Sequence, residues 1–154
     1  MDTILDRHDY AFEGGTIHLL ADIEPFKASR DAQVVISTMP SENWFDARFR
    51  MGAYGDIDRL VFRETTGLIA GERAFASSER DGEIVALAFG VIRDGLLVVE
   101  SVETDGRFRQ QGLGRKTVGG LIGWAGGRRF GRLPSGRRRQ RARPRALCLA
   151  WVQP

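Results

Sequence analysis

A loop rich in glycine and arginine is the segment of this sequence best suited to chemistry. It reads Arg-Gln-Gln-Gly-Leu-Gly-Arg over residues 109–115, and an apolar segment with helical spacing follows it. The first amides of a helix have no partner within the helix and carry partial positive charge, so a glycine loop there can hold an anion. Gly112 and Gly114 would let the backbone approach a phosphate, and Arg109 and Arg115 would add positive charge. An ordinary solvated turn has the same pattern, and the spacing alone favours neither interpretation.

Other kinds of site have less support in the sequence. His8 and His18 have no cluster of Cys, His or acidic residues at ligand spacing, and no Ser-His-Asp arrangement is evident, so we predict no metal. The one cysteine, Cys148, cannot form an internal disulfide, which fits a reducing cytosol. No run of about 18 apolar residues is present, and the acidic, polar start lacks the features of a secretory signal. We therefore expect a cytoplasmic protein with no membrane partner.

The elements around the loop predict how it is positioned. They are a short strand at 34–38, a helix from Ser41, a helix over 56–69, three strands joined by turns at Asp81-Gly82 and Asp94-Gly95, and a helix over 112–125. In the first helix, Trp44 and Phe45 are expected to pack in the core rather than to line a ligand pocket. The second helix is expected to bury Ile57, Leu60, Val61 and Leu68. The last helix contains Gly119, Gly120 and Gly123, which close packing against a sheet would favour.

The loop also carries a resemblance to a known family. Arg109-Gln-Gln-Gly112-Leu-Gly114 matches Arg/Gln-x-x-Gly-x-Gly/Ala, the acetyl-CoA signature of the GCN5-related N-acetyltransferases (GNAT). The order of strand, two helices, three-strand meander, loop and helix is similar to that family over about residues 34–125. The resemblance implies an α/β (α+β) fold, a mixed and mostly antiparallel twisted sheet with flanking helices. A Rossmann or P-loop fold fits worse, because the loop follows a meander and lacks Gly-Lys-Ser/Thr.

The same resemblance implies a function and the residues that serve it. It implies transfer of an acetyl group from acetyl-CoA, the cosubstrate, to an amine of a small molecule or a peptide. The loop amides would hold the pyrophosphate, and the end of the preceding strand would hold the pantetheine arm and the acetyl carbonyl. In that family the strand before the loop splays away from the next strand, and the thioester enters the gap. The implied cofactor-binding residues are Val102, Glu103, Thr104, Arg109, Gln110, Gln111, Gly112, Leu113, Gly114 and Arg115.

Two glutamates on the strand before the loop are candidates for proton transfer. An amine that attacks a thioester must be neutral, so a carboxylate or an ordered water removes its proton. Glu100 and Glu103 lie three residues apart, which would place them on opposite faces of a strand. We predict Glu103 as the catalytic residue because it is nearer the loop, and its alternative role is that of an exposed strand carboxylate.

The net charge of +3 combines two dissimilar segments. Residues 1–125 contain all 20 acidic residues, 12 Arg and 2 Lys, a net charge of −6, whereas residues 126–154 contain nine Arg and no acid, a net charge of +9. The length of 154 residues suits one domain, and 42% apolar residues allow a buried core. A nucleic-acid-binding protein would need a basic folded surface, so the acidic first segment disfavours a nucleic-acid partner.

The arginine-rich segment, residues 126–154, stands where the family has a fifth strand followed by Asn-x-x-Ala-x-x-Leu-Tyr-x-x-x-Gly-Phe, and it has no clear strand or helix period. It could be a basic tail that binds nucleic acid, a disordered solvated tail, or a translation in a shifted reading frame. In a frame shifted by one base, Trp151-Val152 must encode Gly, and codons exist for the other motif residues in the same register. We favour a frameshift after about Ala125, with the C-terminal strand and helix missing or altered. We expect this change to weaken acetyl-CoA binding and impair activity.

The sequence therefore predicts three segments. Residues 1–33 form an N-terminal extension, in which Tyr10–Leu20 resembles a hairpin with its turn at Gly14-Gly15, or a remnant of a preceding domain. Residues 34–125 form an acetyl-CoA-binding core, and residues 126–154 form the arginine-rich tail. The alternatives to an active enzyme are a non-enzymatic nucleic-acid-binding protein that uses the tail, and an inactive remnant of the acetyltransferase family.

Overall fold

One mixed sheet organises the chain in the computed structural model, which describes residues 16–22, 33–52, 54–127 and 146–152. The strands are β1 (Thr16–Asp22), β2 (Val34–Ser37), β3 (Glu72–Arg80), β4 (Glu83–Arg93), β5 (Leu96–Thr104) and β6 (Ala146–Val152). The helices are α1 (Glu42–Gly52), α2 (Asp56–Leu68) and α3 (Leu113–Gly126), with a 3-10 turn at Gly106–Phe108. The sheet order is β1-β6-β5-β4-β3-β2, and every pair is antiparallel except β5 with β6. This architecture confirms the predicted fold class.

The two Asp-Gly turns of the meander form as predicted. Asp81 and Gly82 have φ values of +50° and +79°, and Asp94 and Gly95 have φ values of +51° and +80°. Positive φ at both central residues defines the type I′ turn, whose twist matches that of the two strands it joins. Asp tolerates this backbone region and Gly adopts it freely, so the two dipeptides fix the register of β3, β4 and β5.

The two faces of the sheet bury different side chains, because successive residues of a strand point to opposite sides. On β3, Ala74 and Ala76 pack in the core beneath α3, whereas Phe75 packs in the core beneath α1. The alanines leave room for α3 to approach closely. At Gly120 of α3 a Cβ would lie 2.6 Å from Val34 Cγ1, so the predicted close packing is confirmed there.

The core beneath α1 is aromatic. Trp44 and Phe45 are 3% and 6% exposed, which confirms that they pack in the core. The indole Nε1 of Trp44 donates a hydrogen bond to the carbonyl oxygen of Ala76 at 3.1 Å. Its ring meets the edge of Phe75 and stacks on Phe62 of α2, with centroid separations of 5.1 and 6.3 Å. These contacts fix α1 against the sheet and fix α2 against α1.

The prediction for the buried side of α2 was wrong. Its core-facing residues are Phe62 and Thr66, one helical turn apart. The stacking of Phe62 on Trp44 decides which side of the helix is buried. The four residues that the periodicity placed in the core are exposed by 51–83%; they are Ile57, Leu60, Val61 and Leu68.

Strand β6 differs from the expectation for the tail. The segment 146–152 has no alternating pattern, yet it pairs with β5 on one edge and with β1 on the other. A short unbroken apolar run fits a buried strand or a buried helix segment equally well, so its periodicity could not predict this strand. Strand β1 corresponds to the second arm of the predicted hairpin, whose first arm and turn lie outside the described residues. Among the described residues, no helix follows α3.

Candidate functional site

Strand β5 carries a bulge near its C-terminal end. Glu100 pairs with Phe89 of β4, and Glu103 pairs with Leu87. Between these pairs, two residues of β5 lie opposite one residue of β4. Ser101, the first of the two, has a φ of +53°, in the left-handed region that non-glycine residues rarely adopt. The strand therefore bends and twists at this point.

The bulge corrects the prediction for the two glutamates. Leu87 and Phe89 both belong to the core beneath α1, and residues paired directly across a ladder share a face. Glu100 and Glu103 therefore lie on the same side of the sheet, facing α1. On a regular strand, residues three apart lie on opposite faces, but the extra residue of the bulge brings these two onto the same face.

Strands β5 and β6 stop pairing just before the bulge. They pair in parallel only from Leu96 to Val99 of β5. Within the described residues, 100–104 of β5 have a neighbouring strand on the β4 side alone. Strand β6 pairs with β1 along its whole length, and beyond Leu149 it pairs, within the described residues, with β1 alone. The sheet thus opens into a gap that is bounded by the bulged end of β5 on one side.

The glycine loop lies at this same end of β5. Gln110 and Gly112 have φ values of +59° and +75°, and Gly112 is the N-cap of α3 with no side-chain hydrogen bond to the helix. The first amides of α3 thus have neither an intrahelical acceptor nor a side-chain cap. Alternation of left-handed residues with ordinary ones turns successive amides toward one point, which forms an anion-binding concavity.

Gly114 brings the start of α3 against β5. A Cβ at this position would lie 3.2 Å from Thr104 Oγ1 and 4.0 Å from Val102 Cγ1. The absence of a side chain therefore lets the helix start lie directly beside the bulged strand. The structure thus places three of the residues implied by the family signature next to one another.

The remaining loop residues differ in exposure. Gln110, Gln111 and Arg115 are exposed, and the Nε of exposed Arg109 lies 3.5 Å from the carbonyl oxygen of Thr104. The side chain of Leu113 is buried, so only its backbone could reach a ligand. Among the described residues, no group of three or more His, Cys, Asp or Glu could hold a metal ion.

A charged network that the sequence analysis missed holds the loop in place. Buried Asp105 accepts hydrogen bonds from the Arg107 amide at 2.9 Å, Arg107 Nε at 3.0 Å and Arg107 Nη2 at 2.8 Å. Arg50 Nη1 of α1 donates to the same carboxylate at 2.6 Å, and the Asp105 amide donates to the Val85 carbonyl. The hydrogen bonds from Arg107, and then that from Arg50, hold the pKa of Asp105 well below its usual range. An Asp that directly follows a strand and precedes Gly-x-Phe is a typical turn residue, and this signal could have identified it.

The predicted catalytic residue, Glu103, contacts Tyr54, and Arg48 packs against Tyr54; the sequence singles out neither residue. The Tyr54 hydroxyl donates a hydrogen bond to Glu103 Oε1 at 3.1 Å. Burial raises the pKa of Tyr54, the nearby Arg48 charge opposes this rise, and the Glu103 charge adds to it. The guanidinium of Arg48 lies over the Tyr54 ring, 4.3 Å from its centroid, and its Nε donates to Ser101 Oγ at 3.3 Å. Both residues come from α1 or the turn after it, so this side of the gap is polar and charged.

No protein-family model matches the chain, and no curated protein matches it in sequence. Solved structures do match it in fold. An acetyltransferase of the GNAT family from Novosphingobium aromaticivorans shares 15% identity at a TM-score of 0.57, over 89% of this chain and 51% of that one. A GCN5-related N-acetyltransferase from Sphaerobacter thermophilus shares 14% identity at a TM-score of 0.58, over 97% of this chain and 46% of that one. Another from Kribbella flavida shares 18% identity at a TM-score of 0.54, over 86% of this chain and 46% of that one.

These likenesses identify the fold. The chain has the fold of the GCN5-related N-acetyltransferases, as the resemblance of the glycine loop implied. It spans about half the length of the solved structures that it matches.

Proposed function

We propose that the protein transfers an acetyl group from acetyl-CoA to the amine of a small molecule or a peptide. The observation that carries this proposal is the coincidence of three features at one end of β5. These are the bulge at Ser101, the gap beside β6, and the uncapped start of α3 at Gly112. The open sheet edge beside β5 could accept the thioester, and the clustered amides at the start of α3 could bind the pyrophosphate. These two features lie side by side.

The chain's residues suit the successive parts of acetyl-CoA. The amides from Gln110 to Arg115 would bind the pyrophosphate, because they lie at the positive end of α3 and have no intrahelical acceptors. Arg109 and Arg115 are exposed and add charge. Backbone groups from Val102 to Thr104 lie on the strand edge that β6 leaves unpaired, so they would bind the amides of the pantetheine arm.

Glu103 would act as the base for the incoming amine. The nitrogen attacks the carbonyl carbon of the thioester, and its proton passes to the Glu103 carboxylate. As the tetrahedral intermediate collapses, the C–S bond breaks and CoA leaves as a thiolate, which takes a proton from solvent. The Tyr54 hydroxyl, whose pKa is raised, orients Glu103 by donating a hydrogen bond to Oε1.

The gap beside β5 has a strand on its other side despite the unusual tail. Strand β6 lies beside β5, where the sequence predicts a missing or altered strand. We therefore propose that the chain binds acetyl-CoA, whichever reading frame produced its C-terminal segment. The described residues include no observation that favours the nucleic-acid-binding alternative, since most of the arginine-rich segment lies outside them.

Glu103→Gln tests the assignment of the base. We expect kcat/KM with an amine acceptor, followed through the free thiol of CoA, to fall at least about 100-fold. The exposed strand residue Glu79 offers a control, because Glu79→Gln changes the same groups away from the gap. The wild type, Glu103→Gln and Glu79→Gln should bind CoA with the same affinity. Should Glu100→Gln lose the activity while Glu103→Gln retains it, the base would be Glu100, which shares the same face.

A further inference from the structure

Arg48 is a buried cation in the wall of the gap. The residue is 8% exposed and lies on α1, facing the bulge of β5. Its guanidinium lies 4.0 Å from the ring centroid of Phe62, 4.3 Å from that of Tyr54 and 5.4 Å from that of Phe49. Rings held this close to a guanidinium attract it through the negative faces of their π systems.

In contrast to Arg48, the other arginines of α1 and α2 each form an ion pair with a carboxylate. Arg50 pairs with Asp105 and Glu83, Arg59 pairs with Asp46, and Arg63 pairs with Glu42. Their side chains are 35–42% exposed, so water also solvates them. Arg48 is far more buried, and it forms no ion pair with any carboxylate of residues 33–52 and 54–127.

This combination is energetically unusual. A buried charge normally has a partner of opposite charge, because removal from water is costly. The rings compensate Arg48 in part, and Ser101 supplies a neutral acceptor for Nε at 3.3 Å. The terminal nitrogens of a guanidinium form a planar fork that fits a carboxylate with two parallel hydrogen bonds. What Arg48 lacks among the described residues is such a carboxylate.

We propose that the carboxylate of the acceptor is this missing partner, and that the acceptors are therefore amino acids. This inference rests on the proposed function. Arg48 lies over the ring of Tyr54, whose hydroxyl reaches Glu103, so about one aromatic ring separates the fixed cation from the base. An amino acid carries an amine and a carboxylate. Its amine would contact the Glu103 carboxylate, and its carboxylate would contact the Arg48 guanidinium.

The test compares each acceptor with its uncharged analogue. The full chain is given acetyl-CoA and L-alanine, L-phenylalanine or L-lysine, or the carboxamide of each, and free thiol is measured. We expect kcat/KM for the acids to exceed that for the carboxamides at least about 10-fold, the usual size of a charge-assisted bidentate pair. Arg48→Gln should remove this preference by lowering kcat/KM for the acids alone, and Arg48→Lys should restore part of it.

Two further measurements keep the inference open to refutation. Arg63→Gln is the matched control, because Arg63 also lies over an aromatic ring, that of Phe45, but pairs with Glu42 on the outer side of the helices. Melting curves show whether each variant is folded. Titration of the same acids and carboxamides into the wild type, Arg48→Gln and Arg63→Gln, without acetyl-CoA, measures acceptor binding independently of acetyl transfer.

The outcomes are distinct. Preferential binding of the acids that Arg48→Gln abolishes and Arg63→Gln preserves supports the inference, even if no thiol is released and the proposed function fails. Acetylation of acids and carboxamides at equal rates overturns the inference and leaves the proposed function intact. An equal loss for both kinds of acceptor in folded Arg48→Gln would also overturn it, because Arg48 would then serve only to hold the bulge through Ser101.

Discussion

Replacing Gly112 by alanine tests the anion-binding loop separately from the stability of the fold. Gly112 has a φ of +75°, and a Cβ there would meet no atom within 4 Å. The cost of the substitution is therefore backbone strain alone, about 1 kcal/mol. In a chain of this length, that should lower the melting temperature by about 2–4 °C. Gly95, in the β4–β5 turn, is a matched control, because its φ is +80° and its Cβ would also meet nothing.

The two variants should differ in ligand binding. Alanine at position 112 relieves its strain by rotating the peptide groups at the start of α3, which would misalign the amides proposed to bind the pyrophosphate. An amide hydrogen bond to a charged group contributes about 1.5–3 kcal/mol, which corresponds to about a 10- to 100-fold change in Kd. Calorimetric titration of CoA into the wild type, Gly112→Ala and Gly95→Ala measures this difference, and thermal melting measures the stability.

We expect both variants to melt at similarly lowered temperatures, with CoA affinity reduced in Gly112→Ala alone. Equal CoA affinity in all three proteins would refute the placement of the pyrophosphate at this loop. Equal weakening in both variants would show that the effect comes from general destabilisation, and it would refute the same placement.

Three further predictions follow from the packing, the charges and the tail. Asp105→Asn removes the carboxylate that pairs with Arg107 and Arg50, and it should lower the free energy of unfolding in urea by about 2 kcal/mol at neutral pH. Because the pKa of Asp105 is lowered in the folded chain, the stability that its carboxylate contributes is present above about pH 4 and is lost as the pH falls below that value. The difference in the free energy of unfolding between the wild type and Asp105→Asn should therefore shrink in acid. A difference that does not change with pH would contradict this assignment. Gly120→Ala places a Cβ 2.6 Å from Val34 Cγ1 and should cost about 1–3 kcal/mol in the same urea experiment. Gly119→Ala meets nothing within 4 Å and should stabilise α3 by up to about 1 kcal/mol, so equal effects of the two would show that α3 does not pack closely on β2. The frameshift stays a prediction: sequencing the coding DNA around the Ala125 codon should reveal an inserted or deleted base, and an intact frame shared by close homologues would refute it.

Local chemistry explains why parts of the fold could be predicted from the sequence. The Asp-Gly turns need positive φ at both residues, and few dipeptides other than Asp-Gly and Asn-Gly provide it, so the meander was predictable. The need for glycine at positions 112 and 114 was predictable for a similar reason. The first adopts a positive φ, and the second allows close approach to Thr104.

The features that the sequence did not reveal depend on contacts between distant residues. Ser101 adopts a positive φ without being glycine, so nothing in its type predicts the bulge that puts both glutamates on one face. The apolar stripe of α2 that the sequence shows, which includes Leu60 and Val61, is exposed, because the stacking of Phe62 on Trp44 buries another side of the helix. Arg48 resembles any helix-surface arginine until the turn after α1 brings Tyr54 over it.

The most direct test of the central claim is detection of the acetylated product. The purified full chain would be incubated with acetyl-CoA labelled with carbon-13 in the acetyl group and with the three amino acids named above, and the amino acids would then be analysed by mass spectrometry. The structure predicts labelled N-acetylamino acids that form with the wild type and are strongly reduced with Glu103→Gln. Absence of any labelled product from a protein that melts cooperatively, or equal yields from both proteins, would contradict the account of this site.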